Sequence, residues 1–199
     1  MSNQLLEIPL FPLHTVLYPG GRLPLRIFEQ RYLDMAKSCF KQESPFGVCL
    51  ILHGREAGEP AIPEEVGTLA RIAEWDMPQL GVLNVVAQGE ERFRIVDYRT
   101  ERTGLLKAEV RLLPADPPVA VPGEHMELVP LLKSFFAEMG ETAPPLPHHF
   151  DSAAWLGYRY SELLPLYREE KQRSLELESS LDRLNLIRRF LVRKGLLTD

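Results

Sequence analysis

Ile8-Pro9-Leu10-Phe11-Pro12-Leu13, Val16-Leu17-Tyr18-Pro19-Gly20 and Leu23-Pro24-Leu25-Arg26-Ile27-Phe28-Glu29-Gln30-Arg31-Tyr32 follow one another at the front of the chain. These are short apolar runs punctuated by proline. Pro9 and Pro12 carry no N–H to donate to a ladder, so they belong at a sheet edge or a strand end. Tyr18-Pro19-Gly20-Gly21 is a turn signal. The front of the chain is therefore expected to be short strands with tight connections.

Working outward, Phe28, Tyr32, Met35 and Cys39 recur at helical spacing, with Glu29, Arg31, Asp34 and Lys37 largely off that stripe, which predicts one helix of about 13 residues among the strands. Phe46 to Leu52 is an apolar run of strand length. His53 to Glu65, with two glycines and two prolines, is expected as a solvent-facing loop. Val66, Thr68, Ala70 and Ile72 alternate with the period of a half-buried strand ending near Trp75. Val82 to Gln88 and Arg92 to Tyr98, separated by Gly89-Glu90-Glu91, are read as a hairpin with Gly89 in its turn or bulge. Leu105 to Leu113 completes about six strands. Their short, regular spacing favours a barrel over a parallel sheet.

Pro114, Pro117, Pro118 and Pro122 make 114–123 a stiff connector. Helices are expected beyond it. Glu124 to Met139 ends at Gly140. Ser152 to Leu164 is capped by Asp151 and stopped by Pro165. A short helix covers Tyr167 to Arg173. A last helix opens at Ser179-Ser180-Leu181-Asp182, buries Leu184, Ile187 and Leu191, and closes at Gly195. The fold class expected is α+β: a sheet lobe over 1–113, a linker over 114–123 and an α-helical lobe over 124–199.

Composition narrows the function classes. Of 199 residues, 45% are hydrophobic and 26% charged, ordinary for a globular chain that buries roughly 70% of its unfolded surface. Net charge is −5 and no third of the chain is strongly basic, which disfavours nucleic acid as partner. Met1-Ser2-Asn3-Gln4 shows no basic run followed by a long apolar segment, and no apolar stretch reaches the ~20 residues of a membrane span. A cytoplasmic location with no membrane association is expected. Cys39 and Cys49 are read as reduced core residues.

Candidate chemistry is thin. Gly20-Gly21-Arg22 lacks the spacing of a phosphate loop and is read as a turn. His148-His149 lies in a proline-rich break without nearby cysteine, and is expected as an exposed loop pair in place of a zinc site. Glu64-Glu65 and Glu90-Glu91 are expected as solvated charges at loops or turns. Arg31, Arg92 and Arg94 flank aromatics, a pattern that suits base stacking, but neighbouring acids favour ion pairs. No catalytic residue, metal or cofactor is expected.

The ordered set quoted first, followed by Pro45-Phe46-Gly47-Val48, Val66-Gly67-Thr68-Leu69-Ala70 and Gly89-Glu90-Glu91-Arg92-Phe93-Arg94-Ile95, closely resembles the N-terminal, substrate-binding domain of the ATP-dependent Lon proteases. That domain also occurs as a stand-alone bacterial protein. Asp151-Ser152-Ala153-Ala154-Trp155-Leu156, Lys171-Gln172, Leu175-Glu176 and Asp182-Arg183-Leu184 agree more loosely, and Gln30 stands where the family often has proline. The resemblance implies a β-barrel of the pseudouridine-synthase-and-archaeosine-transglycosylase (PUA-like) type followed by a helical bundle. It also implies recognition of unfolded or degron-bearing polypeptides, in concert with a protease. These 199 residues contain no Gly-x-x-x-x-Gly-Lys-Ser/Thr loop and no Ser/Lys protease domain, so neither ATP hydrolysis nor proteolysis is expected to carry over.

Leu23, Pro24, Leu25, Arg26 and Ile27 are the candidate polypeptide-binding residues. They are either core packing leading into the helix or an exposed apolar lip for unfolded segments. The rival function is a small-molecule or RNA-binding regulator using the barrel face.

Overall fold

The computed structural model describes residues 5–198; Met1, Ser2, Asn3 and Gln4, inspected above for a leader, lie outside the described residues, as does Asp199. The chain divides into two units, Met1–Ala115 and Asp116–Asp199. No described helix is long and apolar enough to cross a membrane.

The first unit holds β1 (Leu6–Leu13), β2 (Arg22–Ile27), α1 (Gln30–Gln42), β3 (Phe46–His53), β4 (Ile62–Gln79), β5 (Val82–Thr100) and β6 (Leu106–Leu112). β1 pairs parallel with β3 and antiparallel with β6. The remaining pairings, β3–β4, β4–β5, β5–β6 and β2–β5, are antiparallel. Pairing thus runs β1–β3–β4–β5–β6 and back to β1, with β2 hung on the first half of β5. The prolines of β1 fit this arrangement. Pro9 lies where β1 pairs only with β6, and Pro12 where it pairs only with β3. Each has one side on which no donor is required.

One apolar cluster sits inside the circuit, around Ile8, Leu10, Leu69, Phe93 and Val110. A second joins the sheet to α1, where Phe11 stacks on Tyr32 at 4.2 Å between ring centroids. Tyr32, Met35, Ala36 and Cys39 form the buried face of α1, at the spacing the sequence shows. Phe28 precedes the helix and is 60% exposed, so it is not part of that stripe. Arg31 is buried instead. It stacks over Tyr32, donates to the Gly104 carbonyl at 2.9 Å and pairs with Glu29 at 3.1 Å.

The hairpin falls elsewhere than expected. β5 runs unbroken through Gly89-Glu90-Glu91, and the turn between β4 and β5 is Leu80-Gly81, with Gly81 at φ 83°. Between Ala70↔Gly89 and Thr68↔Arg92 the register shifts by one residue, a bulge on β5. Gly89 serves a close approach: a Cβ there would collide with the Tyr18 carbonyl oxygen. Thr68 Oγ1 donates to the Leu17 carbonyl at 2.6 Å and holds the same segment down. Glu90 and Glu64-Glu65 accordingly lie in strands. Glu90 accepts from Arg71 at 2.7 Å and Glu65 from Arg94 at 3.2 Å. Arg92 is buried and donates to the Pro114 carbonyl at 3.2 Å, so it offers no face to a nucleobase.

The second unit holds a 3-10 turn at Gly123–His125, then α2 (Leu128–Met139), α3 (Ala153–Leu163), α4 (Arg168–Glu176) and α5 (Ser180–Arg193). Leu128, Leu132, Leu156, Tyr160, Leu184 and Ile187 lie in its core. Gly140 follows α2, and Leu164 caps α3 just before Pro165. The cap that starts α3 is Ser152, whose Oγ accepts from the Trp155 N–H at 3.3 Å. Asp151 instead uses its carbonyl to accept from Val121 N–H at 2.9 Å, beside an Ala120–Ser152 bridge. Ser179 caps α5 as its pattern predicts, accepting from the Asp182 N–H at 3.2 Å.

Candidate functional site

β2 carries all five candidate residues and, among the described residues, has β5 as its sole strand partner. Strand alternation divides them. Leu23 and Leu25 turn inward and are half-buried against the α1 cluster, while Pro24 and Arg26 are exposed on the opposite face. Ile27 is only 2% exposed. It anchors the strand in the core and offers no surface, which removes it from any exposed lip.

Two grooves flank β2. One, of about 410 Å³, lies between Leu23, Leu25 and Tyr32 on one side and Thr15, Glu56 and Ala57 on the other. The loop at Glu56 is pinned by the His14 N–H, which donates to Glu56 Oε1 at 2.6 Å. The other groove, of about 400 Å³, has Pro24, Arg26, Asn84, Val86 and Asp76 in its wall. An ion pair between Arg22 and Glu74 ties β2's outer face to β4.

A third and larger groove, about 600 Å³, separates α1 from the arm made by the far ends of β4 and β5. Leu33 and Phe40 line it from the helix, and Ile72, Trp75, Met77 and Leu80 from the arm. Phe40 and Trp75 meet edge to face at 5.7 Å. Four of these side chains remain largely in solvent: Phe40 55%, Trp75 55%, Met77 51% and Leu80 97% exposed. Sequence reading missed this groove because it ended β4 at Trp75. The signal was present, since Trp75 and Met77 continue a period-two alternation with Glu74 and Asp76.

The chemical inventory of the molecule is modest. Burial pushes the Cys49 thiol far above its ordinary range, with Glu64 adding to the effect. Burial also raises the Cys39 thiol, opposed by a hydrogen bond with Ser44. Both thiols are free and buried. Of the pair His148-His149, both in a loop, His149 is exposed, but His148 is half-buried; it packs on Phe136 at 5.0 Å and its Nε2 lies 2.8 Å from the Pro144 carbonyl. Among the described residues, no three His, Cys, Asp or Glu side chains gather closely enough to hold a metal. In the helical unit, burial raises Glu162 to about 7 against the opposing pull of Arg159 and Lys171. What the grooves can do is desolvate apolar side chains of another molecule.

Comparison with known proteins places this geometry. Residues 7–193 match the family described as the ATP-dependent protease La (LON) substrate-binding domain. The crystal structure of a Lon N-terminal domain protein from Xanthomonas campestris superposes with a TM-score of 0.79 at 35% identity, covering 93% of this chain and 98% of that one. The N-terminal domain of a Mycobacterium avium complex Lon protease shares the fold, with a TM-score of 0.65 at 17% identity, over 92% of this chain and 97% of that one. A Lon protease of Anaeromyxobacter dehalogenans is 28% identical over 94% of this chain and 23% of its own length. Protein cereblon of Danio rerio is 30% identical over 54% of this chain and 26% of its own. The chain thus spans about a quarter of these two longer relatives. A mixed sheet with α1 packed on it, a helical unit after it, and a family match running from β1 to the end of α5 establish that the chain belongs to the LON substrate-binding domain family.

Proposed function

We propose that this chain is a non-catalytic module that captures unfolded or degron-bearing polypeptide segments, presenting them from a PUA-like barrel whose closed strand circuit leaves the β4–β5 arm free. It works beside a protease, as adaptor or competitor. The observation that carries this reading is the apolar groove whose side chains Phe40, Trp75, Met77 and Leu80 stand half or more in solvent. Contiguous apolar exposure of this kind usually marks a binding surface. Methionine, flexible and polarizable, suits a surface that must accept varied side chains. Membership of the substrate-binding family supports the same reading.

Magnitudes favour sampling over tight capture. Burying two or three large apolar side chains yields about 1.5–3 kcal/mol each. Association and ordering cost about 4–15 kcal/mol. At best this leaves about 5 kcal/mol, so the expected affinity is roughly 0.2 mM or weaker. The test is titration of the chain into a reduced, fluorescently labelled unfolded model protein, with anisotropy as readout. Saturable binding supports the reading. No binding at millimolar concentration of the chain, or salt-sensitive binding to an oligonucleotide in its place, counts against it.

A further inference from the structure

We infer that β2 accepts an extended polypeptide segment as an added β-strand, so that capture uses the client's backbone as well as its apolar side chains. This rests on the polypeptide-capture reading and specifies how the client is held.

Gly89 N–H donates to the Gly21 carbonyl at 2.8 Å, and Gly20 N–H donates to the Gly89 carbonyl at 2.9 Å. The register continues Arg22↔Gln88, Leu23↔Ala87, Pro24↔Val86, Leu25↔Val85 and Arg26↔Asn84. In an antiparallel pair, hydrogen-bonded and non-bonded positions alternate. Leu23 and Leu25 therefore turn their backbone groups toward β5, and Arg22, Pro24 and Arg26 turn theirs away. Pro24 agrees, since a position facing away from β5 needs no donor.

The edge facing away from β5 thus offers the N–H and carbonyl of Arg22, the carbonyl of Pro24, and the N–H and carbonyl of Arg26. Among the described residues, none of these backbone groups has a partner outside the β2–β5 ladder. Pro24, Leu25 and Arg26 border both grooves beside β2; one also takes in Leu23, Thr15, Glu56 and Ala57, the other Asn84 and Val86 of β5 and Asp76 of β4. A strand laid along this edge borders the groove at Thr15, Glu56 and Ala57, which takes every second side chain, and such alternate pockets are how strand addition obtains specificity. The occupant is therefore an extended chain: an open edge asks for backbone donors and acceptors at strand spacing, and a helix has already spent its own.

Pro24 gives the edge a second property. An open, flat edge invites runaway pairing, and a proline blunts it. With one donor missing from the middle of the edge, a client is held by fewer bonds and released.

The experiment uses the full chain and an eight-residue peptide alternating valine and threonine, against the same peptide N-methylated at every second residue, once on each edge. Methylation on one edge is expected to weaken binding at least about tenfold, and on the other edge little, as loss of several backbone hydrogen bonds requires. Pro24→Ala restores an outward N–H and is expected to tighten binding about threefold to tenfold, a gain that misfolding cannot produce. Arg26→Pro removes an outward N–H and should weaken it. By amide exchange, Arg22 and Arg26 should become protected on binding while Leu23 and Leu25, already bonded, stay as they are.

Equal binding of all three peptides, with no gain from Pro24→Ala, overturns the strand-addition inference. If the unfolded model protein still binds under those conditions, the capture reading survives alone. If neither protein nor peptide binds, both fall. Peptide-independent protection of Arg22 and Arg26 that grows with protein concentration would show self-pairing of two copies and also overturn the inference.

Discussion

Arg183 and Asp116 are joined by an ion pair at 3.1 Å across 67 residues of chain, with the guanidinium wholly buried and the carboxylate 4% exposed. Arg183 also donates to the carbonyls of Ser174 at 2.9 Å and Leu177 at 2.7 Å, and lies over the Tyr158 ring at 4.0 Å. Gly157 gives it room, since a Cβ there would meet the Arg183 side chain at 3.0 Å. One side chain thus ties α5, the α4–α5 turn, α3 and the proline-rich segment together.

Removing one partner of such a pair leaves a charge buried without compensation, at a cost of about 3–5 kcal/mol. Asp116→Ala is therefore expected to destabilise the helical unit by about that amount. Urea denaturation followed by Trp155 fluorescence, in a Trp75→Phe background, measures it. An unchanged midpoint would show that the pair contributes nothing.

Two glycines separate steric need from chain flexibility. Gly89→Ala forces a methyl group into the Tyr18 carbonyl, and overpacking of this kind costs about 1–3 kcal/mol. Gly123→Ala meets nothing within 4 Å and has no positive φ, so it should be neutral or stabilising by up to about 1 kcal/mol. Thermal melting of both variants checks the contrast.

Leu80 and Met77 dissociate stability from capture. Leu80 is 97% exposed, so Leu80→Asp should change stability by no more than about 0.5 kcal/mol. A charge at the groove mouth should nonetheless weaken binding of unfolded protein by about tenfold, the equivalent of ~1.4 kcal/mol of lost apolar burial. Met77→Asp should behave alike. Retained affinity in both variants would move the capture site off this groove.

Glu162 predicts a pH dependence. Burial raises it from 4.5 to about 7, although Arg159 Nη2 lies 2.7 Å away and favours the charged form. Its folded-state value stands above its unfolded one, so the folded state binds the proton more tightly. The stabilisation is complete below about pH 4.5 and is lost as pH rises through about 7. Glu162→Gln should flatten the slope of unfolding free energy between these limits, a slope of at most about 1.4 kcal/mol per pH unit. The same slope in variant and parent would assign the dependence to other groups.

Much of this architecture is written in short windows of sequence. The i, i+3, i+4 and i+7 recurrence of Tyr32, Met35, Ala36 and Cys39 marks the buried face of α1. Ser179, Gly140 and Pro165 mark helix ends because capping and chain breaking depend on a few neighbouring residues. The prolines of β1 and β2 mark positions where no donor is wanted, and those positions are the ones with a single strand neighbour.

Distant contacts decided the rest. Gly89-Glu90-Glu91 has the composition of a turn, yet it continues a strand because the Tyr18 carbonyl passes over Gly89 and Arg71 pairs with Glu90. Leu23 and Ile27 look alike in sequence; their different exposure follows from how deeply each end of β2 enters the α1 cluster. The groove between α1 and the β4–β5 arm exists because a strand outruns the circuit that pairs it and faces a helix made from residues far earlier in the chain. Propensity and periodicity reach about one turn or one strand along the backbone. Which side chains remain in water is set by surfaces that meet only when the whole chain has folded.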